Sequence, residues 1–272
     1  MGRVVIETPA IEVRGLTKSY GDRVILNGLD LTVQQGETLV ILGGSGSGKS
    51  TLLRCIIGLE EPDAGSVHLM GTNLFEASPD KARELRRRMG MAFQNSALFG
   101  SLTVGGNVDL PLKELTELPE STRSIIVQIK LALVGLEQAA EKFPSELSGG
   151  MQKRAAFARA MALDPEFLFC DEPSAGLDPV TAAELDQLLI QMRDVFGVTL
   201  VVVTHEMESA FLVAQRLALM HHGRFLVTGT PEEVRASQHP VVRRFLDRVP
   251  EEHAEDGERY QQLIKSWEAH GG

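Results

Sequence analysis

Short runs of β-branched and aliphatic residues alternate along the chain with longer stretches whose apolar positions recur at helical spacing. Segments 11–17, 29–33 and 37–43 read as strands. A glycine-rich stretch follows, then a helix over about 49–57. Segments 66–70 and 89–93 read as further strands, and residues 95–160 become mostly helical. There Ile125, Ile126, Ile129 and Leu133 share one helical face, and Gly135 suits a C-terminal stop. An apolar strand over 167–170 runs into Asp171-Glu172-Pro173. Leu185, Leu188, Leu189, Met192, Val195 and Phe196 then form an apolar stripe closed by Gly197. Segment 200–203 is a buried strand ending at Thr204-His205, and 216–220 with 224–228 form a hairpin through His221-His222-Gly223. Strand and helix in alternation specify an α/β fold with a mainly parallel sheet. The tail after Pro250 differs: an acidic cluster precedes Tyr260, Leu263, Ile264 and Trp267, which recur at helical spacing.

Composition narrows the class. Of 272 residues, 43% are hydrophobic, enough for a sizeable core and too many for a disordered chain. No apolar run approaches the ~18 residues of a membrane-spanning helix, and residues 1–7 hold no apolar stretch suited to export. Twenty-seven basic against 37 acidic residues leave a net charge of −10, which argues against nucleic acid as a partner. Two cysteines, Cys55 and Cys170, cannot make a disulfide framework and fit a reducing cytoplasm.

Three motifs carry chemistry. Gly43-Gly44-Ser45-Gly46-Ser47-Gly48-Lys49-Ser50 matches G-x-x-x-x-G-K-[ST] between an expected strand and an expected helix. Glycines let successive backbone N–H groups turn in on phosphates, and the helix N-terminus adds positive potential. Lys49 supplies a charge for the β- and γ-phosphates, and the Ser50 hydroxyl suits Mg²⁺. The strand before Asp171-Glu172 delivers two carboxylates to the sheet's C-terminal edge, where ligands bind in this architecture. Asp171 is expected to hold Mg²⁺ and Glu172 to polarise an attacking water. Leu147-Ser148-Gly149-Gly150-Met151 opens a helix, with Ser148 as its N-cap.

Together these motifs resemble the ATP-binding cassette (ABC) ATPases over nearly the whole chain, to about Asp247. The resemblance implies a P-loop cassette with a RecA-like core, an antiparallel β subdomain and a helical subdomain at about 95–160. It implies a domain over 1–247 and leaves 248–272 as a tail, a candidate clasp on a second cassette. It also implies that Tyr20 stacks on adenine, that Thr51 joins the P-loop residues in binding nucleotide, and that Gln94 contacts metal and water. Ser148, Gly149 and Gly150 would then meet the γ-phosphate held by the opposite subunit. Asp178 would lie across the dimer, and His205 would reach the γ-phosphate. ATP and Mg²⁺ are the expected ligands, and a second copy of the chain is required to finish each site.

Finer likeness is to the cassettes of Mla-type and Mce-type lipid transporters. It rests on residues 93–99 and 101–104, on Met151-Gln152-Lys153-Arg154 after the signature, and on Ser174-Ala175-Gly176-Leu177-Asp178-Pro179. Residues 229–233 and 240–245 add to it, while Glu206 departs from the usual Asp. This likeness implies a peripheral subunit on the cytoplasmic face of a bacterial inner membrane. Its partners would be transmembrane permease subunits, a periplasmic lipid-binding (Mce-type) subunit and a small accessory subunit, with Leu98, Phe99 and Leu102 as candidate permease contacts. An importer cassette for polar solutes such as amino acids shares every catalytic motif and stays open at this level. A nucleic-acid or ribosomal ABC ATPase would imply long coiled coils or two cassettes in one chain, whereas this acidic chain has one P-loop and no sustained heptads; a monomeric P-loop enzyme leaves Ser148-Gly149-Gly150 and His205 unexplained.

Overall fold

A computed structural model describes residues 8–249. Two sheets organise the first compact unit, which runs to Ser237. Strands β1 (Ile11–Tyr20) and β2 (Arg23–Val33) pair antiparallel around a turn whose Gly21 takes φ +57°. With β4 (Ala64–Leu69) and β5 (Thr72–Asn73) they form an antiparallel sheet in the order β2-β1-β4-β5. The second sheet runs β10-β9-β3-β8-β7-β6. Its strands are β3 (Thr38–Leu42), β6 (Met89–Ala92), β7 (Phe167–Asp171), β8 (Thr199–Thr204), β9 (Arg216–His221) and β10 (Arg224–Gly229). Five of these are parallel, and β10 closes the edge as the antiparallel arm of a hairpin.

Register decides where the motifs meet. Leu42 lies opposite Thr204, Asp171 opposite Val203, and Ala92 opposite Cys170. The loops after β3, β8, β7 and β6 therefore leave one edge of the sheet side by side, at the carboxyl ends of parallel strands. All residues of β3 and β8 are buried, which suits strands covered on both faces. The core beneath them includes Leu52, Leu53 and Ile56 of α1 (Lys49–Ile56) and the stacked rings of Phe167 and Phe169, 6.4 Å apart.

Helix α2 (Pro79–Arg87) is capped by Ser78 and was not expected from periodicity. Arg88, at its end, pairs with Glu166. Helices α3 (Val104–Leu115), α4 (Glu120–Leu133) and α5 (Gly149–Ala160) pack together as the helical part. The inward face of α4 is not the expected one. Val127, Lys130 and Leu131 are buried, whereas Ile125 and Ile129 are each 58% exposed. The 3.6-residue period marks both faces as apolar, and packing against α3 and α5 selects the one carrying Val127 and Leu131.

Helix α6 (Pro179–Phe196) ends at Gly197 in the left-handed conformation, as expected, but Val195 and Phe196 at its end are exposed. Helices α7 (Met207–Val213) and α8 (Pro231–Ala236) complete this unit. The second compact unit begins at Gln238 and contains α9 (Pro240–Leu246), upstream of the tail expected from 248. Tyr260, Leu263, Ile264 and Trp267, on which the clasp rests, lie outside the described residues. Among the described residues no helix is long and apolar enough to cross a membrane.

Candidate functional site

The loop between β3 and α1 is shaped by what its glycines leave out. A Cβ on Gly43 would run into the carbonyl oxygen of Met220, and one on Gly48 would lie 2.9 Å from that of Ile25. Gly48 also takes φ +108°, open only to glycine. The Ser47 hydroxyl is buried in this cradle with no hydrogen-bond partner. Beside it is a cavity of about 240 Å³ lined by Arg23, Ile25 and residues 46–51, Thr51 included. An orphaned donor, a close-turned loop and a helix N-terminus fit a phosphate chain.

Lys49 is buried and donates to the carbonyls of Gly43 (2.8 Å) and Gly44 (3.1 Å). Its Nζ is 3.8 Å from Glu172 Oε1. Burial pulls its pKa down, and the charges of Glu172 and Asp171 pull the other way. Ser50 Oγ donates to Asp171 Oδ1 at 3.1 Å, so the two expected Mg²⁺ ligands are neighbours. Burial raises the Asp171 pKa, and Ser50 opposes the shift.

Glu172 leaves the strand in a left-handed conformation, φ +48°, rare for a residue with a side chain. Its amide donates to Val203 O, and its Oε2 accepts from Thr204 Oγ1 (3.1 Å), His205 N (3.2 Å) and His205 Nδ1–H (2.9 Å). Lys49, Ser50, Asp171, Glu172 and His205 thus form one connected group. This places a carboxylate that can take or orient a proton beside a cradle that can hold an anion.

Other expected residues lie outside that group. Gln94 is exposed at the end of β6 and enters the network through its backbone carbonyl, which accepts from Lys153 Nζ. Tyr20 has 48% of its surface open, which leaves its ring available for stacking, and its hydroxyl donates to Glu60. That bond is the main reason its pKa is raised. Ser148 Oγ accepts from Met151 N at 3.3 Å and caps α5. Gly150 is packed so closely that a Cβ would lie 2.5 Å from the Thr181 methyl. Asp178 caps α6, accepting from the amides of Val180 and Thr181, with the Thr181 hydroxyl lowering its pKa most. None of Ser148, Gly149, Gly150 and Asp178 lines the cavity beside the P-loop.

Sequence reasoning missed Arg23, Ile25, Asn107 and Lys153. Arg23 and Ile25 reach the cavity from β2. Asn107 is wholly buried; its Oδ1 accepts from Phe99 N, and its Nδ2 donates to the carbonyls of Phe99, Leu102 and Thr103. It thereby fixes the loop that presents Phe99 to an apolar groove of about 510 Å³, which Phe93, Leu110 and Leu115 also line. Leu98 and Leu102, the other two candidate permease contacts, are half-buried and do not line it.

A P-loop on a RecA-like sheet, an acid pair two strands along and a signature helix in a separate helical part define an ATP-binding cassette. Comparison with known proteins agrees: the family model described as ABC transporter matches residues 26–175, and the chain belongs to that family of cassette ATPases. It is 44% identical over 238 residues to the probable ribonucleotide transport ATP-binding protein mkl of Mycobacterium tuberculosis, covering 88% of this chain and 66% of that one. The chain thus spans about two thirds of the length of that relative. It is 42% identical over 267 residues to the methionine import ATP-binding protein MetN of Xanthomonas campestris (96% of this chain, 78% of that one). It is 39% identical over 239 residues to the intermembrane phospholipid transport system ATP-binding protein MlaF of Escherichia coli (88% and 89%). Among solved structures it resembles the dimeric post-hydrolysis cassette MJ0796 bound to ADP and Pi, with TM-score 0.74 and 31% identity over 81% of this chain and 98% of that one.

Proposed function

We propose that this chain hydrolyses ATP as one of two identical cassettes beneath a pair of permease subunits, at the cytoplasmic face of an inner membrane. The observation that carries this reading is the incomplete cavity. The P-loop side is built, yet Ser148, Gly149 and Gly150 take no part in it within one chain. A second copy supplying its signature helix would finish the site, and the dimeric, ADP-bound relative supports that arrangement.

Residues 43–51 would hold the triphosphate, with Tyr20 against the base. Glu172, held beside Lys49 and His205, would take or orient a proton of the attacking water as the β–γ anhydride bond breaks. His205 and the partner's signature would stabilise charge on the γ-phosphate. Ser50, Asp171 and Gln94 offer oxygen donors suited to Mg²⁺, which when bound neutralises phosphate charge. The apolar groove with Phe99 on its rim would receive a permease segment.

For cargo, the reading is phospholipid or another lipid, exchanged between the inner membrane and a periplasmic lipid-binding partner of the Mce type. It is supported by the likeness to MlaF over most of both chains. Likeness to MetN at similar identity favours a second reading, an importer of a small polar solute such as an amino acid. Purification of the native complex through this chain, followed by mass spectrometry of its lipids and subunits, tests the choice. Stoichiometric phospholipid with a periplasmic-domain subunit is expected; a solute-binding protein without lipid would overturn the lipid reading.

A further inference from the structure

Helix α5 does more than present the signature. Two of its cations, the buried Lys153 and the half-buried Arg159, bond the segment that follows β6. Arg159 donates to the carbonyls of Ala97 (2.6 Å) and Ser96 (2.9 Å). Lys153 Nζ donates to the carbonyl of Gln94 and, on its other side, to that of Glu172 at 3.2 Å. The residues gripped in this way are conformationally unusual. Ser96 (φ +58°), Ala97 (φ +48°) and Glu172 (φ +48°) are all left-handed without being glycine. Such a conformation persists only where surrounding contacts hold it. Lys153 reaches both the segment after β6 and Glu172, and it comes from a third element, the signature helix. Its side chain is almost wholly buried, and desolvation of its ammonium is opposed by the nearby carboxylates of Glu172 and Asp171.

We propose that Lys153 is a positioning residue for hydrolysis: by donating to the backbone of Glu172 it holds the conformation that sets the carboxylate beside Lys49 and His205, and through Gln94 it ties that setting to the placement of α5. This rests on the reading of Glu172 as the group that orients water. Both partners are neutral carbonyls, so the position needs a hydrogen-bond donor at that depth. Methionine matches the volume and removes the donor; glutamine keeps a donating amide.

The test compares Lys153→Met and Lys153→Gln in the full chain, with Lys153→Ala standing in if the methionine variant does not fold. Turnover, ATP affinity and amide exchange of the 167–176 segment without nucleotide are measured for each. Lys153→Met is expected to lower kcat 10- to 100-fold, to leave the ATP Kd within about twofold, and to speed exchange at Glu172. Lys153→Gln should recover most of the rate. In a Glu172→Gln background, Lys153→Met should lower the residual rate no further. Wild-type kcat in the methionine variant would overturn the proposal. So would losses in kcat and affinity that glutamine fails to restore. Unimpaired turnover by Glu172→Gln alone would instead refute the reading of Glu172, a separate failure with a separate signature.

Discussion

Alanine at three glycines of the P-loop separates the physical demands on that loop. A Cβ on Gly44 would meet no atom within 4 Å, and the φ of Gly44 is not positive; Gly46 has the same open space but φ +74°. Gly48 has φ +108°, and its Cβ would lie 2.9 Å from Ile25 O, 2.9 Å from Met220 Cε and 3.1 Å from Leu26 Cδ2. Gly44→Ala should therefore stabilise the nucleotide-free protein by about 0.4–1 kcal/mol, because alanine narrows the unfolded ensemble. Gly46→Ala sets the same gain against a left-handed penalty of about 1–2 kcal/mol, a net loss of roughly 1 kcal/mol. Gly48→Ala adds overpacking of about 1–3 kcal/mol against a backbone carbonyl, which brings the net loss to about 3 kcal/mol. At about 2–4 °C per kcal/mol for a chain of this size, Tm should fall by roughly 6–12 °C for Gly48→Ala and change little for Gly44→Ala. Urea and thermal unfolding without nucleotide measure the series. If Gly48→Ala were no less stable than Gly46→Ala, close approach of Ile25 and Met220 would not be what requires glycine there.

Two further outcomes follow from buried polar groups. Asn107→Ala leaves the Phe99 amide and the Leu102 carbonyl without their side-chain partner, while the carbonyls of Phe99 and Thr103 keep backbone donors, and should cost about 1–3 kcal/mol in urea unfolding; an unchanged midpoint would contradict the role given to that side chain. Asp186 is buried on α6, accepts from Ser209 Oγ of α7 at 2.5 Å, and has its pKa raised by burial, with Ser209 opposing. Because the folded state binds this proton more tightly than the unfolded one, the cost of ionisation is present above the folded pKa and disappears below the ordinary carboxyl value. Asp186→Asn should thus gain stability relative to wild type at pH 7, and the gain should shrink as pH falls toward 4; a difference independent of pH would refute the assignment.

What could be read from the sequence was local. The P-loop is one contiguous run, and the strand before Asp171-Glu172 is continuous and apolar, so their type and order were legible. So were the caps at Ser148 and Gly197. The contacts of Lys153 with Gln94 and Glu172, and of Tyr20 with Glu60, join residues far apart in the chain and exist only after the sheet is ordered. Asn107 reads as an ordinary polar position until α3 buries it over the loop before it. On α4, periodicity announced a helix but could not choose between its apolar faces, since that choice belongs to α3 and α5. Arg23 and Ile25 carry no motif, and only the pairing of β1 with β2 brings them to the cavity.

Association of the Glu172→Gln variant with ATP, followed by light scattering, tests the two-subunit site most directly. Two chains should join with ATP bound, and adding Ser148→Arg should abolish association while each single chain keeps its ATP affinity. A lone Glu172→Gln chain saturated with ATP, or a dimer indifferent to Ser148→Arg, would contradict the account.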